Sequence, residues 1–359
     1  MKTKERFNAV LKGEVPDRLP VVTHHLMPYS LQNYLGGISQ KEFFKKFGID
    51  EIAWVGYLKV DESKDWHVET EDIPDQKYKS TRYNIDTPKG RLTMVIQKND
   101  YTQWVTEYPI KEDADIEKLD YFPRHYADVE KINAQNSEDV ILRGTIPGFD
   151  IFGQPGCWQD AACLYGIENL IMKTYDDPQW VRELLERMMA YKLEYVESIK
   201  GAEYDIIELG GGDASSTVIS PGILDEFVAP YDAKIIEAAH KNGQKIVYHT
   251  CGGMMPILEN LLSMKPDALE TFTPPEMGGD TDLAKAKKII DGRACMIGGF
   301  DQGHYFTGCT PEETRAAVRR CFEAAGEGGG YVLSPSDHFF EAQEDLIMAF
   351  ADEARKCTY

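Results

Sequence analysis

The sequence predicts an α/β protein built as one (β/α)8 barrel over residues 1–359, with an antiparallel hairpin region inserted near residues 66–112. Three observations predict it. From residue 138 onward, short β-branched runs ending in Gly, Ser or Thr alternate with helical patterns, the order that builds parallel sheets. Two more runs near the N-terminus bring the count to eight, the number that closes such a barrel. Residues 66–112 break the rhythm with alternating runs around turn signals, as hairpins do.

In chain order, the first two strands are expected at Leu19–Thr23 and Glu51–Val55. The inserted hairpins follow, with Arg91–Ile96 and Thr102–Tyr108 set around turns at Pro88-Lys89-Gly90 and Asn99-Asp100. The remaining strands are Val140–Thr145, Asp205–Gly210, Lys245–Thr250, Ala268–Phe272, Ala294–Gly299 and Tyr331–Pro335. The helices between them have readable ends. One runs from Asp177 to about Gly201, and another starts at Ser220-Pro221, carries Phe227, Ile235, Ile236 and Ala239, and stops at Asn242-Gly243. Thr310-Pro311-Glu312-Glu313 combines an N-cap Thr, Pro at the first helical position and Glu in capping-box spacing. Gly326–Gly330 precedes a strand instead of opening a helix, so it reads as a helix terminator and not a phosphate loop. A last helix is expected from Glu341 to about Lys356.

The charge pattern excludes whole classes of partner. With 60 acidic against 39 basic residues and a formal charge of -21, the chain repels nucleic-acid backbones and anionic membranes. Hydrophobic residues make up 42%, enough for a large core, yet no apolar stretch approaches the roughly 18 residues of a membrane span. The charged, amphipathic start Met1–Leu11 lacks the apolar centre of a secretion signal, so a cytoplasmic location is expected. Seven cysteines without framework spacing suit a reducing compartment.

Catalytic residues of this fold stand at the C-terminal ends of the strands. Those ends are polar here: Gly210-Gly211-Gly212-Asp213, His249-Thr250-Cys251-Gly252-Gly253, Glu270, Phe300-Asp301 and Ser336-Asp337-His338. His249 and Cys251 lie two apart on a strand and so share a face, where an imidazole and a thiolate can bind one cation such as zinc. The competing reading is a hydrogen-bonded barrel histidine beside an inert buried cysteine; the strand-end position favours the metal. Asp213 and Glu270 are candidate acid–base groups. Capping or an ion pair is the rival role, disfavoured for Asp213 after its three glycines and evenly weighted for Glu270. His24-His25 follow the first strand and can also enter the cavity. Cys295, at a strand start, and Cys309, before a capped helix, are expected to be structural, while Cys157 and Cys163 flank Trp158 in a segment expected to pack beside the cavity.

Arg6-Phe7-Asn8-Ala9-Val10-Leu11-Lys12-Gly13, Pro16-Asp17-Arg18-Leu19-Pro20, His249-Thr250-Cys251-Gly252 and Gly330-Tyr331-Val332-Leu333-Ser334-Pro335-Ser336 together resemble the uroporphyrinogen decarboxylase superfamily, end to end. That superfamily includes zinc-dependent, corrinoid-linked methyltransferases. The true decarboxylases carry an Arg-Gln-Ala-Gly-Arg signature after the first strand; this chain has Thr23-His24-His25-Leu26-Met27-Pro28 there. Without those arginines a porphyrinogen lacks its carboxylate anchors, so porphyrinogen decarboxylation is not expected. The methyltransferase branch carries a His-x-Cys pair matched by His249 and Cys251, plus a third ligand near the last strand. In the coenzyme M enzymes that ligand is a Cys after Pro-Gly; this chain reads Pro335-Ser336-Asp337-His338, and Asp337 is the expected substitute, with His338 as its rival.

The resemblance thus implies a zinc enzyme that moves a methyl group between a small methylated, most naturally methoxylated, substrate and a corrinoid (cobalamin) held by a partner protein, as in O-demethylation. It also allows a homodimer. Zinc held by His249, Cys251 and Asp337 would polarise the methoxyl oxygen. The cavity mouth must then admit a bulky corrinoid, with His24, Met27, Tyr29, Phe149, Phe152, Trp158 and His338 as candidate lining. Two alternatives remain open: a metal-free lyase acting on a small carboxylic acid through Asp213 and His249, and a barrel that binds without turnover.

Overall fold

The computed structural model describes residues 1–56, 58–61, 63–149 and 154–359; Phe152 of the expected mouth lies outside them. The chain enters the barrel with β1 (Glu51–Trp54) and leaves it through β2 (Leu58–Val60). β3 (His67–Ile73), β4 (Lys79–Thr87), β5 (Gly90–Lys98) and β6 (Gln103–Glu107) then form a four-stranded antiparallel sheet, and β7 (His125–Ala127) returns to pair antiparallel with β2. This is the insertion expected near residues 66–112. Its tight turns fall at Pro88-Lys89 and Asn99-Asp100, where Asn99 Oδ1 accepts from the amides of Tyr101 and Thr102.

The barrel resumes with β8 (Val140–Thr145), β9 (Ile206–Gly210), β10 (Ile246–His249), β11 (Ala268–Thr271), β12 (Cys295–Phe300) and β13 (Tyr331–Pro335). With β1 these make a seven-stranded parallel sheet in the order β1-β8-β9-β10-β11-β12-β13. Its strands are near-continuous runs of buried residues, because helices cover the outer face and side chains fill the inner one.

The expected first strand, Leu19–Thr23, is reduced to one parallel bridge between Val21 and Leu333. Pro20 has no N–H to give, and the Val21 amide donates to Asp50 Oδ2 instead of to a neighbouring strand. The segment still closes the curl. Leu333 N donates to Pro20 O, Val22 N to Leu333 O, and Asp50 N to Val21 O, which seats residues 20–22 between β13 and the start of β1.

Helix ends follow the sequence signals. Thr310 caps Pro311–Ala325 with a full capping box to Glu313, and Ser220 and Asp177 cap their helices. In the pattern from Ser220 to Asn242, Leu224–Val228 widens into a π turn just before Pro230, whose missing N–H interrupts the regular ladder. Gly326 ends the helix Pro311–Ala325, and Gly328, Gly329 and Gly330 carry the chain through positive φ into β13. Among the described residues no helix is long and apolar enough to cross a membrane.

Candidate active site

Strand register brings the polar strand-end residues together. His249 pairs with Glu270 across β10 and β11, and Trp54 with Arg143 across β1 and β8. His249 Nδ1 lies 2.9 Å from Glu270 Oε1, while the Arg143 guanidinium stands 4.0 Å from the Trp54 ring centre. Arg143 Nη1 donates to Glu270 Oε2 at 2.8 Å, and its Nη2 donates both to Glu270 Oε1 and to Glu208 Oε2. Arg143 and Glu270 are almost wholly buried, so each charge depends on its partner.

This pairing sets the protonation of the cluster. Burial alone would raise the Glu270 carboxyl, but the Arg143 charge, the hydrogen bonds from Arg143, the His249 contact and the nearby His24 ring hold it well below the usual carboxylate range. Burial alone would likewise lower His249, yet its contacts with Cys251 and Glu270 and the charge of Glu208 hold it well above the usual histidine value.

His24 stands over the same centre. Its ring centre is 5.2 Å from that of His249, 5.5 Å from Trp54, 5.0 Å from His25 and 6.1 Å from His338. Among the described residues, the buried side-chain polar atoms without a protein partner include Thr23 Oγ1, both ring nitrogens of His24, Trp54 Nε1, Arg143 Nε and Thr250 Oγ1, all on barrel strands or at their ends. Ligand atoms of His24, Glu208, His249 and Glu270 lie within 4.8 Å of one another, and so do those of His24, Asp337 and His338. Asp337 Oδ1 accepts from the His338 amide at 2.7 Å and lies 2.7 Å from His338 Nδ1. Burial works to raise the Asp337 carboxyl, and the His338 contact together with the nearby histidines overcomes it, leaving the carboxyl below its usual range.

Cys251 touches His249 and stands against Gly212, where a Cβ would lie 2.7 Å from its Sγ. One residue further on, Asp213 is clasped by Gln159, whose Nε2 donates to Asp213 Oδ2 at 2.7 Å while the Asp213 amide donates to Gln159 Oε1 at 2.7 Å. Gly211 makes this approach feasible, since a Cβ there would stand 2.4 Å from Gln159 Cγ. Burial raises the Asp213 carboxyl against the opposing Gln159 bond.

The candidate lining divides. Met27 and Tyr29 sit at the rim, where Tyr29 Oη lies 3.2 Å from the Tyr101 Oη of the β5–β6 turn, and Tyr101 packs edge-on against Phe340. Phe149 and Trp158 instead lie inside the wall. Phe149 stacks on Phe122 and is 2% exposed; Trp158 is 0% exposed and donates from Nε1 to Asp213 O. Their large apolar rings are held by the core, so they reach the site through their neighbours. Cys295 and Cys157 are buried, and Cys309 hydrogen-bonds Thr314 beside the helix it precedes.

Arg143, Glu208, Trp54 and Gln159 escaped the sequence reading. A signal existed for two of them. Arg143 in Val140–Thr145 and Glu208 in Ile206–Gly210 are lone charges within apolar strands buried on both faces, and such charges must find each other.

Comparison with known proteins agrees with this architecture. Among solved structures, the chain is similar to a methyltransferase from Methanosarcina mazei, with a TM-score of 0.67, 15% identity and 99% of each chain covered. It is also similar to a B12-independent methionine synthase from a Shewanella species, with a TM-score of 0.54, 13% identity, and 94% of this chain and 98% of that one covered. At these identities the shared property is the fold. Two curated relatives are uroporphyrinogen decarboxylases. The one from Geotalea daltonii is 24% identical over 241 residues, 64% of this chain and 66% of that protein. The one from Chlorobaculum parvum is 24% identical over 156 residues, 43% of this chain and 41% of that protein. The match thus spans less than two thirds of either relative's length. The family model of uroporphyrinogen decarboxylase (URO-D) matches residues 106–357, and the chain belongs to that family.

Proposed function

We propose that the protein is a zinc-dependent methyltransferase that moves a methyl group between a small methoxylated substrate and a corrinoid carried by a partner protein. The observation that carries this reading is the donor cluster of His24, Glu208, His249 and Glu270, with ligand atoms within 4.8 Å and both His24 nitrogens buried without a protein partner. Such a set of imidazole and carboxylate groups beside the Cys251 thiol fits zinc. His249, Cys251 and Asp337 would hold the ion, which when bound supplies Lewis acidity toward a methoxyl oxygen.

The protein's own groups have separable tasks. Glu270, fixed by Arg143, engages His249 Nδ1 and so leaves Nε2 as the nitrogen for an ion, the arrangement that orients a ligating imidazole. Asp213 keeps its proton to higher pH than an ordinary aspartate and has Oδ2 occupied by Gln159. A proton on Oδ1 can therefore pass to the oxygen released when the methyl group leaves. Tyr29, Tyr101 and Phe340 gather over the rim and restrict water. A corrinoid presented at this rim by a carrier protein would supply the methyl acceptor.

The test is metal content and methyl exchange. Purified protein is expected to hold close to one zinc per chain, and His249→Ala with Cys251→Ala to lose it. Zinc-loaded protein is expected to change the absorbance spectrum of cob(I)alamin when a methoxylated aromatic is supplied. Full zinc retention by the double variant overturns the site, and an unchanged spectrum across a panel of methoxylated compounds overturns the reaction. The raised Asp213 carboxyl favours a second reading, a metal-free lyase on a small carboxylic acid. Turnover that survives exhaustive chelation selects it.

A further inference from the structure

We propose that His24 is itself a ligand of the metal centre, the segment after the Val21 bridge supplying an imidazole that joins the donors of β10 to those after β13. This rests on the zinc reading above and deepens it.

His24 alone belongs to both donor groups, the one with Glu208, His249 and Glu270 and the one with Asp337 and His338. An ion shared between His249 on β10 and Asp337 beyond β13 has to be reached from nearly opposite walls, and His24 stands between them with ring centres 5.2 Å from His249 and 6.1 Å from His338. Its side chain is 10% exposed and neither ring nitrogen has a hydrogen-bond partner among the described residues. The nearest carboxylate approach, Nε2 to Glu270 Oε1, is 3.8 Å, too long for a hydrogen bond. A buried imidazole with both nitrogens unsatisfied costs free energy unless something binds it.

The backbone that carries it is fixed. Asp50 N donates to Val21 O, Val22 N to Leu333 O, and Val21 N to Asp50 Oδ2, so the ring is presented to the cavity from a pinned segment. Its surroundings suit a cation, with Glu208, Glu270 and Asp337 near and a single Arg143 already committed to Glu208 and Glu270. A second imidazole also gives this chain a harder donor set than a site built on several thiolates, which suits polarising an ether oxygen over activating a thiol.

The experiment uses full-length protein with zinc as probe. Zinc-edge X-ray absorption is expected to count two imidazoles in the wild type and one in His24→Ala. Competition with a chromophoric chelator is expected to show His24→Ala weakened by about 100-fold or more, beyond the span typical of residues that only orient a ligand. Thermal melting of metal-free His24→Ala and His24→Asn checks that both fold, and His24→Asn is expected to show the same imidazole loss. A zinc-bound wild type with a single imidazole, or an unchanged imidazole count in both variants, overturns the role of His24 while leaving the proposed function standing. A wild type that takes up no zinc overturns both.

Discussion

Arg143 reaches Glu270 through two parallel hydrogen bonds deep inside the barrel, and the same guanidinium also holds Glu208. One cation thus serves two carboxylates, and its removal strands both. Arg143→Met is expected to lower unfolding free energy by about 3–5 kcal/mol, as breaking a buried pair does. Adding Glu270→Gln is expected to recover part of the loss, because it removes one of the stranded charges. Urea unfolding of the single and double variants measures both quantities; equal stability of Arg143→Met and wild type would refute the account.

Glu270 and Asp213 carry opposite signs in pH. The Glu270 carboxyl is held below its usual 4.5, so its contribution to stability is complete above that value and is lost as pH falls through the depressed one. The Asp213 carboxyl is raised above 3.8 by burial, so ionising it works against the fold as pH rises past that value. Glu270→Gln is expected to destabilise most near neutrality and progressively less in acid. Asp213→Asn is expected to be as stable as wild type or more so at neutral pH and to lose that advantage in acid. Unfolding free energies measured from neutral to acid pH decide each case.

Gly212 makes room for the Cys251 thiol, since a Cβ would stand 2.7 Å from Sγ. Gly212→Ala is expected to displace the thiol and weaken zinc binding at least about tenfold, within the range of changes that disturb a ligand's setting. Global stability should change by only about 1 kcal/mol, the common size for a point substitution. Chelator competition alongside thermal melting separates the two effects.

Asp337 and His338 are the rival candidates for the third ligand of the proposed zinc site. Asp337→Ala is expected to weaken zinc binding more than His338→Ala, because the lowered Asp337 carboxyl stays charged beside His24 and His249. A loss confined to His338→Ala would name the other neighbour, and zinc titration of the two variants distinguishes them.

Lys192 and Asp160 are both fully buried, with Nζ 2.8 Å from Asp160 Oδ2 and also bound to Gln154 O and Pro147 O. Asp160 in turn accepts the amides of Phe149 and Gln154. Lys192→Met is expected to cost about 3–5 kcal/mol. Lys192→Met with Asp160→Leu is expected to recover little, because the two amides lose their acceptor as well; denaturant titration shows the difference.

The barrel was legible because parallel strands covered on both faces appear as compact apolar runs, and Ala268–Thr271 or Tyr331–Pro335 admits little else. The insertion was legible for the opposite reason, its strands alternating around turns at Pro88-Lys89 and Asn99-Asp100. The site was only half legible. His249, Glu270, Asp337 and His24 sit at strand ends, where the fold rule directs attention. Arg143 and Glu208 sit inside strands, and their meeting depends on the stagger of neighbouring strands, which no local pattern encodes. Phe149 and Trp158 mislead in the other direction, because an aromatic beside a cavity and one inside its wall have the same sequence signature.

The bridge between Val21 and Leu333 has a consequence for how the protein comes into being. His24 lies two residues beyond the segment that seals the sheet, and that segment, held on one side by Asp50, gains its other neighbour only when β13 has been synthesised and folded. A nascent chain therefore carries its first histidine for almost the whole of translation before that residue meets His249. Pairings between chain segments so far apart are slow to form. With His24 as the proposed ligand, metal uptake during refolding is expected to lag behind the formation of β8 to β12 and to coincide with the docking of residues 20–22, so that the ion would report the final closing event.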